Sequence, residues 1–452
     1  MEKKVYERPH IIKLDAGMPG KFGMRAETPA MTHVFGVPVK KLVENHGSPL
    51  FVISEESIRQ TYRKAYKAFS TRYPNVQFAW SYKTNYLSAI CNIFHSEGSW
   101  AEVVSGFEYN KAIANNVDPK KIIFNGPGKS DEELLTAANN GSLIHIDHLD
   151  ELYQLIDIAE KASQRPRVAI RVNMDTGIYP QWDRFGFNYE NGQAWDAINK
   201  IMHSGKLDLM GLHTHIGTFI MAASAYGIAA TKLADLAMGL QQKFNHTLKY
   251  IDLGGGFASK NTLKGSYLPG SDISPSFDEY AEAISSALLN SSLKPDSLPL
   301  LILETGRALV DSAAFLISTV IANKRLSNGK RATIIDAGVN IMFTSFWYQH
   351  QISPAQGASQ YREDTVLYGP LCMNIDCLRE SVNLPILNKG DQVVIHNVGA
   401  YNMTQWMQFI TLRPNIVLVD SSGEVQLIRE AENMESIQHH EKMPDKLVIN
   451  HL

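Results

Sequence analysis

The chain has 452 residues, 44% hydrophobic and 20% charged, the balance of a soluble globular protein with two domains or one barrel plus an addition. Its net charge of -3 provides no basic footprint for nucleic acid or an anionic membrane, so neither is expected as a partner. Three cysteines (Cys91, Cys372 and Cys377) form no paired framework, and no signal peptide or spanning helix is evident, so a reducing, cytoplasmic setting is expected.

Residues 1–34 hold Gly17, Pro19, Gly20 and Gly23 and read as an irregular N-terminal arm. Phe51-Val52-Ile53 is a short leading strand, and the segment Ser54–Ser70 places Ile58, Tyr62, Ala65, Tyr66 and Phe69 on one helical face. A strand–helix rhythm follows. Its apolar runs are Phe78–Tyr82, Ala101–Val104, Ile122–Phe124, Leu143–Ile146, Val168–Val172, Leu209–His213, Tyr250–Leu253 and Leu300–Leu303. Ser130 and Glu133 have the spacing of a helix capping box. Eight evenly spaced alternations predict a closed (β/α)8 TIM-like barrel over residues 35–310 rather than a doubly wound sheet. After Arg307 the runs Ala314–Ile321, Ala332–Ile335, Gln392–His396, Ile416–Val419 and Val425–Ile428 lack helical periodicity and predict an all-β domain over 311–430. A charged tail, 431–452, closes the chain.

In such a barrel, side chains at the C-terminal ends of the strands meet at one mouth. Those ends carry Lys83, Glu102, Asn125, Asp147, Arg171, His215, the run Gly254-Gly255-Gly256, and Glu304 with Arg307. Lys83 closes an apolar run, where desolvation would lower its pKa and make it an imine-forming nucleophile. The glycines let backbone N–H groups close on an anion, and Arg307 adds a charge-assisted contact to the same phosphate. Glu304 ends four apolar residues and needs a cation to face, such as a protonated heterocyclic nitrogen. His213-Thr214-His215 lacks further ligands at zinc spacing, so no metal is expected; a flat imidazole stacked on a planar ring suits His215 better. His213 is read as a packed strand residue. Imine lysine, phosphate cradle, buried carboxylate and stacking ring together specify pyridoxal 5'-phosphate.

With these motifs in place the sequence resembles the fold-type III pyridoxal phosphate decarboxylases, the diaminopimelate, ornithine and arginine decarboxylase group, more distantly related to alanine racemase. The resemblance spans about 35–428. It rests on Tyr82-Lys83-Thr84-Asn85, Glu102-Val103-Val104-Ser105, His213-Thr214-His215-Ile216-Gly217-Thr218, Asp252–Phe257, Glu304-Thr305-Gly306-Arg307, Gly369-Pro370-Leu371-Cys372 and Gly399-Ala400-Tyr401. It implies an alanine racemase-like barrel with a C-terminal β domain, in which Lys83 carries the cofactor as an imine, His215 stacks on the ring and Glu304 pairs with the ring nitrogen. By the same resemblance Gly255, Gly256, Gly306, Arg307, Tyr401 and Thr218 hold the phosphate, and Glu102 and Arg171 flank the imine. Cys372 matches the general acid that returns a proton to Cα. In the family it crosses from the second subunit of a head-to-tail homodimer, as is expected of the tyrosine matching Tyr401. Without the resemblance, Cys372 reads as a small hydrophobe.

Two departures bear on substrate. Met373 stands where diaminopimelate enzymes carry Glu and ornithine enzymes Asp, and Thr344 stands where diaminopimelate enzymes place an arginine, with Tyr348 in the same stretch also expected at the substrate. Losing a charge reader from a buried site costs orders of magnitude for the charged substrate, so meso-diaminopimelate is not the expected substrate. Asp376 keeps the spacing of another acidic position and could read an amine. The apolar stretch Asn402–Phe409 points to a larger or differently charged amino acid derivative, free or carrier-bound, as on a natural-product or siderophore pathway. Three rivals remain: diaminopimelate decarboxylase of lysine biosynthesis, a racemase or epimerase, and a non-catalytic binding protein that kept the fold.

Overall fold

The computed structural model describes residues 28–356 and 361–447; residues 1–27 of the expected arm and the end of the tail lie outside them. Eight parallel strands form a barrel: Val76–Ser81, Trp100–Val103, Ile122–Phe124, Leu143–Ile146, Arg167–Asn173, Asp208–His213, Tyr250–Asp252 and Leu300–Leu303. The eighth pairs with the first and the fifth with the sixth, which closes the ring. Most strand residues are buried, as expected of parallel strands covered on both faces, so their sequences run apolar without alternation. Helices return the chain outside the ring, and the Ser130–Glu133 capping box starts Asp131–Asn139 as the spacing predicts.

Register sets the chemistry. Ser81 lies beside Glu102, and Arg171, His213 and Asp252 are cross-strand partners on the fifth, sixth and seventh strands. Residues in register on adjacent parallel strands turn to the same side, so three polar side chains from distant sequence positions are brought together.

The second sheet corrects the expected role of the leading strand. Leu50–Ser54 pairs antiparallel with Ala314–Arg325 and parallel with Ile416–Val419, so it belongs to the β domain rather than the barrel. Its inner side chains Leu50 and Val52 pack with Val34, Val39, Leu42, Ile317, Val394 and Val417. Arg362–Tyr368 and Cys377–Pro385, hairpin partners in this sheet, escape the sequence reading because charged residues interrupt them. The helix after the leading strand, Glu55–Ser70, buries Ile58, Tyr62, Ala65 and Phe69 but leaves Tyr66 43% exposed at the rim, stacked on Tyr62. Among the described residues no helix is long and apolar enough to cross a membrane.

Candidate active site

The first barrel strand ends in a single 3-10 turn, Tyr82–Thr84, which lifts Lys83 into a cavity of about 310 Å³ at the barrel mouth. The β domain pins this turn from above: Tyr401 N donates to the Thr84 carbonyl at 2.8 Å, and Thr404 Oγ1 to the Lys83 carbonyl at 2.9 Å. Lys83 Nζ lies 2.6 Å from Glu102 Oε2, which also accepts from Ser81 Oγ. Burial alone would lower the Lys83 pKa, as the sequence predicts, but Glu102 and Glu304 outweigh it and the ammonium is held above the ordinary lysine range.

Asn125 bridges the two carboxylates, donating to Glu102 Oε1 at 3.0 Å and to Glu304 Oε1 at 2.6 Å. His213 Nε2 stands 3.4 Å from Glu304 Oε2 in an arrangement that makes no hydrogen bond, so both its ring nitrogens are buried without a partner. His213 lines the cavity floor, not a packed strand interior alone. Behind it the His145 ring lies 4.7 Å away, with Nε2 2.9 Å from the Tyr250 hydroxyl.

At the opposite end, Arg307 sits among rings, 4.6 Å from the centre of Tyr401, with Nη2 donating to Thr218 Oγ1 at 3.1 Å. Tyr348, expected at the substrate, instead has its buried hydroxyl against Arg307 Nη1. A Cβ on Gly255 would meet the Glu304 carbonyl oxygen at 2.5 Å, and one on Gly256, whose φ is +100°, would overlap the Gly217 carbonyl oxygen. Bare backbone thus floors this end of the cavity. Gly306 and Arg307 complete it. Tyr401 lines the cavity of its own chain, which corrects the expectation that a second subunit supplies it.

His215 stands on the wall with Nδ1 3.1 Å from the Gly255 carbonyl. Burial, then the nearby Arg171 and Lys83 charges, bring its pKa down to about 3, so the ring is a neutral, flat surface at working pH. Arg171 Nη1 reaches Asp147 Oδ1 at 3.4 Å and its guanidinium lies 4.4 Å over Phe185. Trp182 meets His215 edge-on at 5.4 Å between centres. Trp182 and Phe185 sit on the loop after the fifth strand, which has no periodicity, so no sequence signal marks them as pocket residues.

Five expected residues, Tyr348 among them, do not line the cavity of their own chain. Cys372, expected from a second subunit, is exposed on the β domain, and Met373 packs against the core. Asp376, expected to read an amine, is buried and accepts from the Leu371 and Val339 amides at 2.7 and 2.8 Å; it folds the Gly369–Asp376 loop instead. Thr344 is buried too, its hydroxyl bonded to Asn402 Oδ1 at 2.9 Å and His350 Nε2 at 2.8 Å. The bulk of Asn402–Phe409 is likewise structural: Trp406 lies under Arg413 and Arg429 at 5.0 and 4.8 Å, away from the mouth.

The pyridoxal-binding domain of the pyridoxal-dependent decarboxylases matches residues 57–311, more than half of the chain. The chain belongs to that family. It is 30% identical over 418 residues to the diaminopimelate decarboxylase of Aquifex aeolicus, covering 89% of this chain and 93% of that one. With the diaminopimelate decarboxylase of Methanothermobacter thermautotrophicus it shares 29% over 425 residues, 91% and 96% of the two chains. The crystal structure of the Methanocaldococcus jannaschii diaminopimelate decarboxylase superposes with a TM-score of 0.84 at 28% identity, covering 92% and 97%. The protein is thus a fold-type III, pyridoxal phosphate-dependent amino acid decarboxylase, with an eight-stranded barrel and a separate β domain.

The residues present fit this cofactor. The cradle has the bare backbone a phosphate needs, with Arg307 and Thr218 beside it; Lys83 reaches the cavity, and at its floor the Glu304 carboxylate stands beside the unpartnered Asn125 Oδ1 and His213 nitrogens.

Proposed function

We propose that this decarboxylase removes the α-carboxylate of an amino acid or amino acid derivative other than meso-diaminopimelate. Thr344 carries that reading. At the position where diaminopimelate enzymes resemble one another in holding an arginine, this chain has a short hydroxyl already bonded to Asn402 and His350. Met373 and the tied-off Asp376 leave no free carboxylate nearby for a distal amine. Pyridoxal phosphate, once bound, supplies the electron sink for the pair left at Cα when CO2 departs.

In this reading Lys83 anchors the cofactor, held in place by Glu102 and Ser81. Glu304 holds a proton at the ring nitrogen, and neutral His215 offers its flat face to the ring. Gly255, Gly256, Gly306, Thr218, Arg307 and Tyr401 bind the phosphate. Trp182 and Phe185, beside His215 and Arg171, exclude water from the cavity. The exposed Cys372 of a second copy completes the site and returns the proton to Cα, in a homodimer whose two sites lie at the interface.

The test is CO2 release from a panel: meso-diaminopimelate, lysine, ornithine, arginine, glutamate derivatives and carboxynorspermidine. The expected kcat/KM for meso-diaminopimelate is about 10³-fold or more below that of the best substrate. Turnover of meso-diaminopimelate as the preferred substrate would establish the second reading, which the names of the relatives at 26–30% identity favour. Chiral analysis of the same reactions excludes racemisation if Cα configuration is unchanged in unreacted substrate. Mixing inactive Lys83→Ala and Cys372→Ala proteins should restore about a quarter of wild-type activity if sites are shared between subunits, and none if each chain is self-sufficient.

A further inference from the structure

Beneath Glu304 lies a carboxyl group to which the chemistry above assigns nothing. Asp252 is wholly buried at the end of the seventh strand. Its Oδ1 accepts from Gly254 N at 2.8 Å, and its Oδ2 is buried without a donor. The chain brings Glu304 to the same place: Glu304 N donates to the Gly254 carbonyl at 2.9 Å, and Asp252 pairs with Ile302, two residues before Glu304 on the neighbouring strand, so alternation turns both carboxyl groups to one face. Two carboxylates cannot hydrogen-bond to each other, and desolvation penalises a double charge here. One proton on the pair removes both problems: the protonated partner donates and the other stays ionised.

The surroundings decide where the proton sits. Glu304 Oε1 already accepts from Asn125 at 2.6 Å, so that oxygen is committed as an acceptor. Among the described residues Asp252 has only the Gly254 amide, on one oxygen. The titratable and charged groups around it are Glu304, Glu102, His213 and Tyr250, with Arg171 and Lys83 higher in the mouth beside His213. Burial and then Glu304 push the Asp252 carboxyl well above the usual carboxylate range, while burial keeps His213 neutral.

We propose that Asp252 is a positioning residue that carries the proton of an Asp252–Glu304 acid pair and donates it to Glu304, so that the pair presents a single, oriented negative charge to the cofactor's ring nitrogen. This rests on the reading of Glu304 as the ring-nitrogen partner. An asparagine is the neutral mimic of such a group: its amide donates to Glu304 while its carbonyl accepts from Gly254. An aspartate that acts ionised has no such mimic.

The test compares wild type, Asp252→Asn, Asp252→Ala and Glu304→Gln. Affinity of the apoprotein for pyridoxal phosphate is followed by fluorescence quenching, and thermal unfolding of the apoprotein is followed from pH 4 to 9. Asp252→Asn should bind within about threefold of wild type and Asp252→Ala about tenfold or more weaker. The sign of the unfolding result follows from linkage: an aspartate whose folded pKa is raised destabilises the fold as pH climbs past its unfolded value near 3.9. The Tm of Asp252→Asn should therefore gain on that of wild type as pH rises from about 4 towards neutrality, an effect that lost packing does not produce. Asp252→Asn binding as weakly as Asp252→Ala, or a Tm difference flat with pH, overturns the proposal even if the alanine variant does not fold. Unchanged cofactor affinity in Glu304→Gln instead overturns the reading of Glu304, whatever Asp252 does.

Discussion

The barrel mouth and the adjoining face of the β domain use polar residues in opposite ways. At the mouth, Lys83, Glu102, Asn125 and Glu304 form a connected chain of 2.6 to 3.0 Å contacts turned towards the cavity. On the β face, Thr344 and Asp376 have comparable burial and equally short bonds, but every bond is to the protein itself. Strand ends in a barrel have their backbone groups satisfied by the ladder, so their side chains are left to face the ligand. Loops must satisfy their own amides, and Asp376 is consumed in doing so.

The largest expected effect tests the mouth. Lys83→Ala should lower kcat/KM by about 10⁴-fold or more and remove the imine absorbance near the visible edge, with CO2 release as the assay. A wild-type protein with no such band would mark a binding protein instead. Next, Gly256→Ala adds a Cβ against the Gly217 carbonyl at a φ of +100°. It should weaken cofactor binding and cost about 1–3 kcal/mol of stability, read by titration of the apoprotein and by chemical denaturation.

The β face should answer in stability rather than chemistry. Asp376→Asn leaves one of two backbone amides without its acceptor, and Thr344→Val removes the hydroxyl partner of His350 Nε2 while Asn402 Oδ1 keeps only the Thr344 amide. Each is expected to cost about 1–3 kcal/mol in denaturant melts with KM little changed. A raised KM at unchanged stability would return Asp376 to the role of substrate reader.

A last effect belongs to no single substitution and is spread over pH. Burial brings His350, whose Nδ1 lies 2.9 Å from the His396 carbonyl, and His396 itself down to about 4. Unfolded, each titrates near 6.5, so below that pH the unfolded chain binds protons that the folded one refuses. Stability is therefore full above about 7 and declines as pH falls towards 4, by at most about 1.4 kcal/mol per pH unit for each ring. Melting temperatures across this range check the slope; His350→Gln should flatten it.

Much of the site was legible before any coordinates. Lys83, Glu102, Arg171, His215, Gly255, Gly256, Glu304 and Arg307 all line the cavity because each sits at or just past the end of an apolar run. His213 was misread because a histidine inside a strand looks the same whether it packs or faces a floor. Trp182 and Phe185 carried no signal at all. The motif around Cys372 was visible, yet it did not show that Asp376 bonds the Leu371 and Val339 amides, because spacing does not tell which way a loop carboxylate turns.

By itself the sequence determined the order of strands and helices and, with it, the set of polar groups at one end of a closed barrel. Parallel strands open their C-terminal ends on one side, so local pattern suffices there. Only the tertiary structure decided that Leu50–Ser54 joins a sheet whose other members lie more than 260 residues away, and that Thr344 and Asp376 turn inward while Asp252 meets Glu304. Those outcomes depend on which distant donor or acceptor satisfies a buried group, and proximity of that kind is created by folding, not by spacing along the chain.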